Sequence, residues 1–273
     1  MLLYLLLGCA VGCFGSLIGV GGGFILTPIL LIFYPALTPS EVTAISMTTV
    51  MFNSASGSAA YAMMGRIDYK TGLIFSAAAL PGTIIGTMLI PFLPKAEFDI
   101  IFGASMIVFS AMIIIKSRLG DRSSPPDLAG RFRITRRLRD KSGREAAFSF
   151  NMGAGVLISL GVGFLSGILG IGGGIVHVPA LVLLGFPAHF AAATSHFVLA
   201  LTSLSSFAVH AASGSFIGIW EMTAFIALGA LIGAQAGARL SSRIKGRMIM
   251  LLLAAALVLA GIRILYSGIV GVL

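Results

Sequence analysis

Residues 146–220 form a run of 75 positions without a single Asp, Glu, Lys or Arg. A soluble domain carries roughly a quarter charged residues, so no water-exposed fold accommodates a run of this length. Similar charge-free stretches cover 1–40, 42–65, 71–94, 100–115, 222–238 and 248–262. A spanning helix needs about 20 apolar residues, which places most of the chain in lipid. Backbone amides in hydrocarbon must be satisfied internally, leaving helices or a closed barrel. Barrel strands alternate apolar and polar positions, whereas Met248–Ala260 is apolar all round. The expected fold is therefore an all-α polytopic membrane protein. Its 35 glycines, scattered among Ala and Ser, suit helices whose backbones approach closely, within one chain or in an oligomer. Met1–Ser16 resembles a signal peptide, but no Lys or Arg precedes its apolar core, and it reads as a structural segment.

The chain repeats itself. Gly19-Val20-Gly21-Gly22-Gly23, followed by Pro28, recurs as Gly170-Ile171-Gly172-Gly173-Gly174, followed by Pro179. Further along, Ala44 and Ser46 pair with Ala193 and Ser195, Gly65 with Gly214, and Gly82 and Gly86 with Gly233 and Gly237. The organisation expected is a first transmembrane repeat over 1–116, a basic linker over 117–146, and a second repeat over 147–273. The segment Lys116–Glu145 holds ten Lys/Arg, four Asp/Glu and Pro125-Pro126. It reads as a solvated cytoplasmic loop beside anionic lipid rather than a nucleic-acid site.

With that segment inside, the turn at Arg66–Lys70 also falls inside. So does the cluster Arg239, Arg243, Lys245 and Arg247, while Ser213–Ile217 falls outside. Sixteen of the eighteen Lys/Arg are then internal, Lys95 and Arg263 being the exceptions. Equivalent loops lie on opposite sides, so the repeats are expected to be inverted. Three spans are assigned to each half: 41–64, 71–92 and 97–116, then 189–212, 217–238 and 248–271. The stretches 1–36 and 148–186 must cross an even number of times, as a Gly-broken helix pair or a re-entrant hairpin.

The glycine clusters are the natural candidates for a binding site. Glycines at this density cost a continuous helix about 1 kcal/mol each relative to Ala. They predict an unwound apex followed by a half-helix, whose free N–H groups and positive dipole end attract anions. Candidate substrate-binding residues are Gly21, Gly22, Gly23 and Phe24 with their counterparts Gly172, Gly173, Gly174 and Ile175. Ser46 with Asn53, and Ser195 with Thr202, stand seven apart at equivalent places in the two halves, each pair on one helical face. Most other hydroxyls of these helices are expected to bond their own carbonyls.

The paired G-x-G-G-G…P segments, the duplication and the basic central loop resemble the TauE/SafE family of sulfite and organosulfonate permeases, over essentially the full length. The resemblance implies gradient-driven movement of small sulfur-containing anions across the bacterial inner membrane, export being the commoner direction.

All four histidines, His177, His189, His196 and His210, fall in the second half. Ionisable groups inside a membrane are functional by default, and histidine titrates nearest neutrality. His177 and His196 are therefore the candidates for proton coupling; His189, at a helix start, is not. Cys9 and Cys13, one helical turn apart, read as small buried hydrophobes. A thiol relay or membrane enzyme using them is the competing class, with a carrier of small carboxylates as the other alternative. The sequence offers no catalytic constellation, metal spacing or cofactor motif, and the expected partners are a small anion, protons and the bilayer.

Overall fold

The computed structural model describes residues 1–119, 133–141, 143, 145–241 and 246–272. In the first half, α1 (Leu2–Ile18) and α2 (Gly23–Phe33) are followed by α3 (Pro39–Met63), α4 (Tyr69–Leu89), a 3-10 turn (Ile90–Phe92) and α5 (Lys95–Leu119). An antiparallel hairpin follows, β1 (Arg133–Arg139) with β2 (Glu145–Asn151). The second half contains α6 (Met152–Leu169), α7 (Gly174–Leu183), α8 (Ala188–Ala212), α9 (Trp220–Leu240) and α10 (Gly246–Val272).

Local chemistry sets the helix boundaries. Pro39 opens α3 inside a capping box in which Thr38 and Glu41 satisfy each other's backbone N–H groups. The Asp68 carboxylate accepts from Thr71 N to cap α4, and the Asn151 side chain accepts from Ala154 N to cap α6. Both α1 and α6 end at a left-handed glycine, Gly19 and Gly170.

By length and composition, four helical segments among the described residues can cross a membrane: Tyr69–Phe92, Met152–Leu169, Ala188–Ala212 and Trp220–Leu240. Among the other expected spans, the 25 residues of α3 are less apolar because they include a polar row from Ser46 to Ser58. Residues 242–245, which hold Arg243 and Lys245 of the expected internal cluster, lie outside the described residues, as do 120–132 of the basic segment.

Small residues bring the long helices together. A methyl group built on Gly229, Gly233 or Gly237 of α9 would lie 2.0–2.1 Å from a carbonyl oxygen of α1, those of Leu5, Cys9 and Cys13. Gly8 and Gly12 of α1 approach the carbonyl oxygens of Ile226 and Ala230 of α9 in the same way, at 2.1 and 2.4 Å. Between α4 and α6 the same arrangement joins Gly82 and Gly86 to Gly163 and Gly167. Such contact replaces the hydrophobic driving force that lipid does not supply.

A hairpin within the basic segment and the residues after it adds two strands to an otherwise helical fold. Its first strand alternates exposed Arg133, Thr135, Arg137 and Arg139 with partly buried Ile134, Arg136 and Leu138. Its second strand buries Phe148 and Phe150 against Phe75 and Phe186. Arg136 pairs with Asp68 and Arg66 with Asp140, both at 3.3 Å, so the hairpin is docked on the α3–α4 turn. Composition concealed this, because a strand rich in Arg averages to a polar segment. The second strand ends at Asn151, and the first helix of the second half begins at Met152.

Candidate functional site

Both glycine clusters interrupt their helices. Between α1 and α2, Gly19, Gly21 and Gly22 have φ of 87°, 89° and 79°; between α6 and α7, Gly170, Gly172 and Gly173 have 65°, 76° and 68°. That left-handed backbone is open to glycine at no steric cost, and it separates the two helices of each pair by four residues. The half-helices α2 and α7 then begin at Gly23 and Gly174, and neither has a side-chain cap at its start. The amides of Gly23, Phe24, Gly174 and Ile175 are too early to find acceptors within their own helices. Pro28 and Pro179, each the sixth residue of its helix, also withhold a donor from the carbonyls of Phe24 and Ile175. The side chains of Phe24 and Ile175 pack in the apolar core, which leaves their backbone amides as the groups able to contact a ligand.

The two breaks touch. A methyl on Gly23 would stand 3.0 Å from the Ile171 carbonyl oxygen, and one on Gly174 only 2.4 Å from that of Val20. Thr27 of α2 spans the contact, its hydroxyl donating to Ser46 Oγ at 2.8 Å and lying 3.3 Å from the Gly170 carbonyl.

Polar side chains gather at each break. At the first, fully buried Asn53 accepts at Oδ1 from Ser16 Oγ, while its Nδ2 finds no acceptor. That free donor would lie 2.9 Å from a methyl on Gly22. Ser16 Oγ is also 3.3 Å from His196 Nε2, so a histidine of α8 joins the first-half cluster. At the second break, His177 lies between Ser159 Oγ, 3.2 Å from Nε2, and Ser195 Oγ, 3.3 Å from Nδ1. Phe75 meets the His177 ring edge-on at 5.9 Å. Ser166 Oγ is buried without a partner and faces Gly173. A small cavity with room for about one water molecule lies among Ser159, Ser166, Gly172, His177, Leu199 and Thr202.

Not every expected residue reaches across. Thr202 lines the cavity, yet its hydroxyl donates to its own helix, to Val198 O at 3.1 Å. Ser46 bonds Thr27 and lies near the Gly23 carbonyl rather than beside Asn53. Thr48, Thr49, Ser54 and Ser203 also bond carbonyls of their own helices. His189 is exposed, and His210 is buried against Ser215 at the end of α8. Gln235 reaches Ser56 between α3 and α9. Cys9 and Cys13 are free, partly buried thiols of α1. Sequence reasoning overlooked Ser16, Thr27, Ser159 and Ser166. For Ser16 and Ser166 the signal was a lone polar residue in the last turn of an apolar helix before a glycine cluster.

Comparison with known proteins agrees with this architecture. Residues 4–264 match the family described as sulfite exporter TauE/SafE. The "Probable membrane transporter protein YunE" of Bacillus subtilis (strain 168) is 32% identical over 270 residues, covering 96% of each chain. The "Probable membrane transporter protein MJ0441" of Methanocaldococcus jannaschii is 30% identical over 207 residues, 74% of this chain and 69% of the relative. The "Sulfite exporter TauE/SafE family protein 5" of Arabidopsis thaliana is 34% identical over 101 residues, 36% of this chain and 21% of the relative. No solved structure matches significantly. Glycine-broken half-helices packed inside a bundle of long apolar helices, together with a family match over nearly the whole length, identify the chain as a membrane transporter of the sulfite exporter TauE/SafE family.

Proposed function

We propose that the protein is a secondary transporter that binds small, singly charged sulfur oxyanions, organosulfonates or sulfite in its protonated form, hydrogensulfite, at the glycine breaks. It exports them across the bacterial inner membrane against proton entry. One observation carries this reading: two uncapped half-helix starts, each with a buried donor that has no partner, Asn53 Nδ2 and Ser166 Oγ. A helix start is equivalent to about half a positive charge, and in a site shielded from water its attraction for an anion is little screened. The groups gathered at both breaks are amides, hydroxyls and imidazoles, which suit one negative charge better than two. A dianion stripped of water would need a full countercharge. Gly21, Gly22, Gly23 and Phe24 with Asn53, and Gly172, Gly173, Gly174 and Ile175 with Ser195 and Thr202, are the proposed binding residues. Ser46 supports them by holding Thr27 across the contact.

Coupling is assigned to His177 and His196, since each is an ionisable group held inside the bundle beside one of the breaks. The sulfur-anion class and the outward direction follow the family's description as a sulfite exporter. The halves 1–116 and 147–273 are read as inverted repeats with the basic 117–146 segment in the cytoplasm, an arrangement in which carriers place substrate at the repeat interface.

The test is uptake of labelled sulfite, methanesulfonate, taurine and acetate by proteoliposomes with an imposed pH gradient. Saturable sulfite or sulfonate flux that follows the gradient is expected. A preference for acetate over every sulfur anion would replace the substrate class with small carboxylates, and flux indifferent to the gradient would remove the coupling.

A further inference from the structure

Successive glycines of each break face opposite ways. Methyl groups on Gly21 and Gly23 would meet Val50 at 3.3 and 2.7 Å; one on Gly172 would meet Val50 at 2.6 Å, and one on Gly174 would meet Leu199 at 2.8 Å. The glycine between each pair looks elsewhere. Gly22 faces Asn53 Nδ2 and Val11, each at 2.9 Å, and Gly173 faces Val162 at 2.9 Å and Ser166 Oγ at 3.4 Å. Val50 and Leu199 therefore fill the middle, with one polar cluster beyond each break.

We infer that the protein holds two oxyanion subsites in series, one at Gly22–Gly23 with Asn53 and one at Gly173–Gly174 with Ser166, divided by an apolar septum of Val50 and Leu199. This rests on the reading of the breaks as anion sites and gives that reading a stoichiometry. A single shared site midway between the breaks is disfavoured by what lies there: two aliphatic side chains and the carbonyl oxygens of Val20 and Ile171. Carbonyl oxygens repel an anion, and aliphatic carbons give it nothing in return for its water. The donors instead lie outward. Each subsite is complete in its own right, with the start of an 11- or 10-residue half-helix, one buried donor lacking a partner, and one histidine. That histidine is His196 through Ser16 at the first subsite, and His177 on the cavity wall at the second. Passage from one subsite to the other requires Val50 and Leu199 to yield.

Equilibrium binding of radiolabelled sulfite to the purified full chain tests this directly. Two sulfites per chain are expected, and Asn53→Leu or Ser166→Val should each remove one and leave the other at its original affinity. The site that survives shows that the variant is folded. The milder Asn53→Ala and Ser166→Ala should weaken their own site roughly 10-fold, the loss of about one hydrogen bond to a charged group. One sulfite per chain, lost in either variant, would overturn the series arrangement in favour of a shared site. Binding of acetate without sulfite would refute only the sulfur class, and the same count made with acetate would then decide between two subsites and one. Binding of neither anion would end both the subsites and the substrate reading.

Discussion

Asn53 shows how little polarity the account requires inside the bundle. Its carbonyl oxygen is held by Ser16, which turns the amide nitrogen toward the glycine at the start of α2. Leaving a buried donor unmatched costs about 1–3 kcal/mol, so a fold that keeps two of them beside paired helix starts favours whatever ligand satisfies them. Ser16 thus acts as a positioning residue. Ser16→Ala should lower the apparent affinity for the anion roughly 10-fold by freeing the amide to rotate. Substrate-dependence of liposome flux checks this, and an unchanged KM would remove Ser16 from the site. The histidines make a separate prediction. The double variant His177→Gln/His196→Gln should lose the pH-dependence of transport; a preserved profile would assign coupling to other groups.

Elements are assembled through glycine rather than through large apolar knobs. Gly233→Leu would drive a side chain into the Cys9 carbonyl of α1, 2.1 Å from its Cβ. A destabilisation of about 1–3 kcal/mol or more is expected, read as a fall in thermal midpoint. Gly161→Ala is the matched control: a methyl there meets nothing within 4 Å, and helix propensity should make it neutral or slightly stabilising. The hairpin depends instead on the buried Arg66–Asp140 pair. Asp140→Asn removes one charge and leaves the other buried, a loss of roughly 3–5 kcal/mol, which hydrogen exchange should register as faster exchange across 133–151. The helices and both interruptions could be read from the sequence, because glycine runs inside charge-free segments have few structural explanations. The hairpin could not, since its inward Phe148 and Phe150 sit at the edge of the longest apolar run and look like its beginning. Nor could the crossing of His196 to the first-half cluster, which depends on how α8 packs against α3 and not on any local pattern.

On the scale of the whole molecule, the proposed inversion makes a topological prediction. The docked hairpin and the Arg66–Asp68 turn share one end of the bundle, and the turn after α8, over Ser213–Ile217, should face the other side. In a Cys9→Ala/Cys13→Ala background, single cysteines at Lys141 and Ser215 should react with an impermeant maleimide from opposite sides of the membrane; labelling from one side would refute the inverted arrangement. The central claim is that substrate sits where the half-helices begin. An experimental structure with selenite, whose selenium can be located by anomalous scattering, tests it most directly. Selenium within hydrogen-bonding reach of Asn53 Nδ2 and the Gly23 amide, or of Ser166 Oγ and the Gly174 amide, is the predicted result. Selenium found only at the basic hairpin, with both glycine breaks empty at saturating selenite, would contradict it.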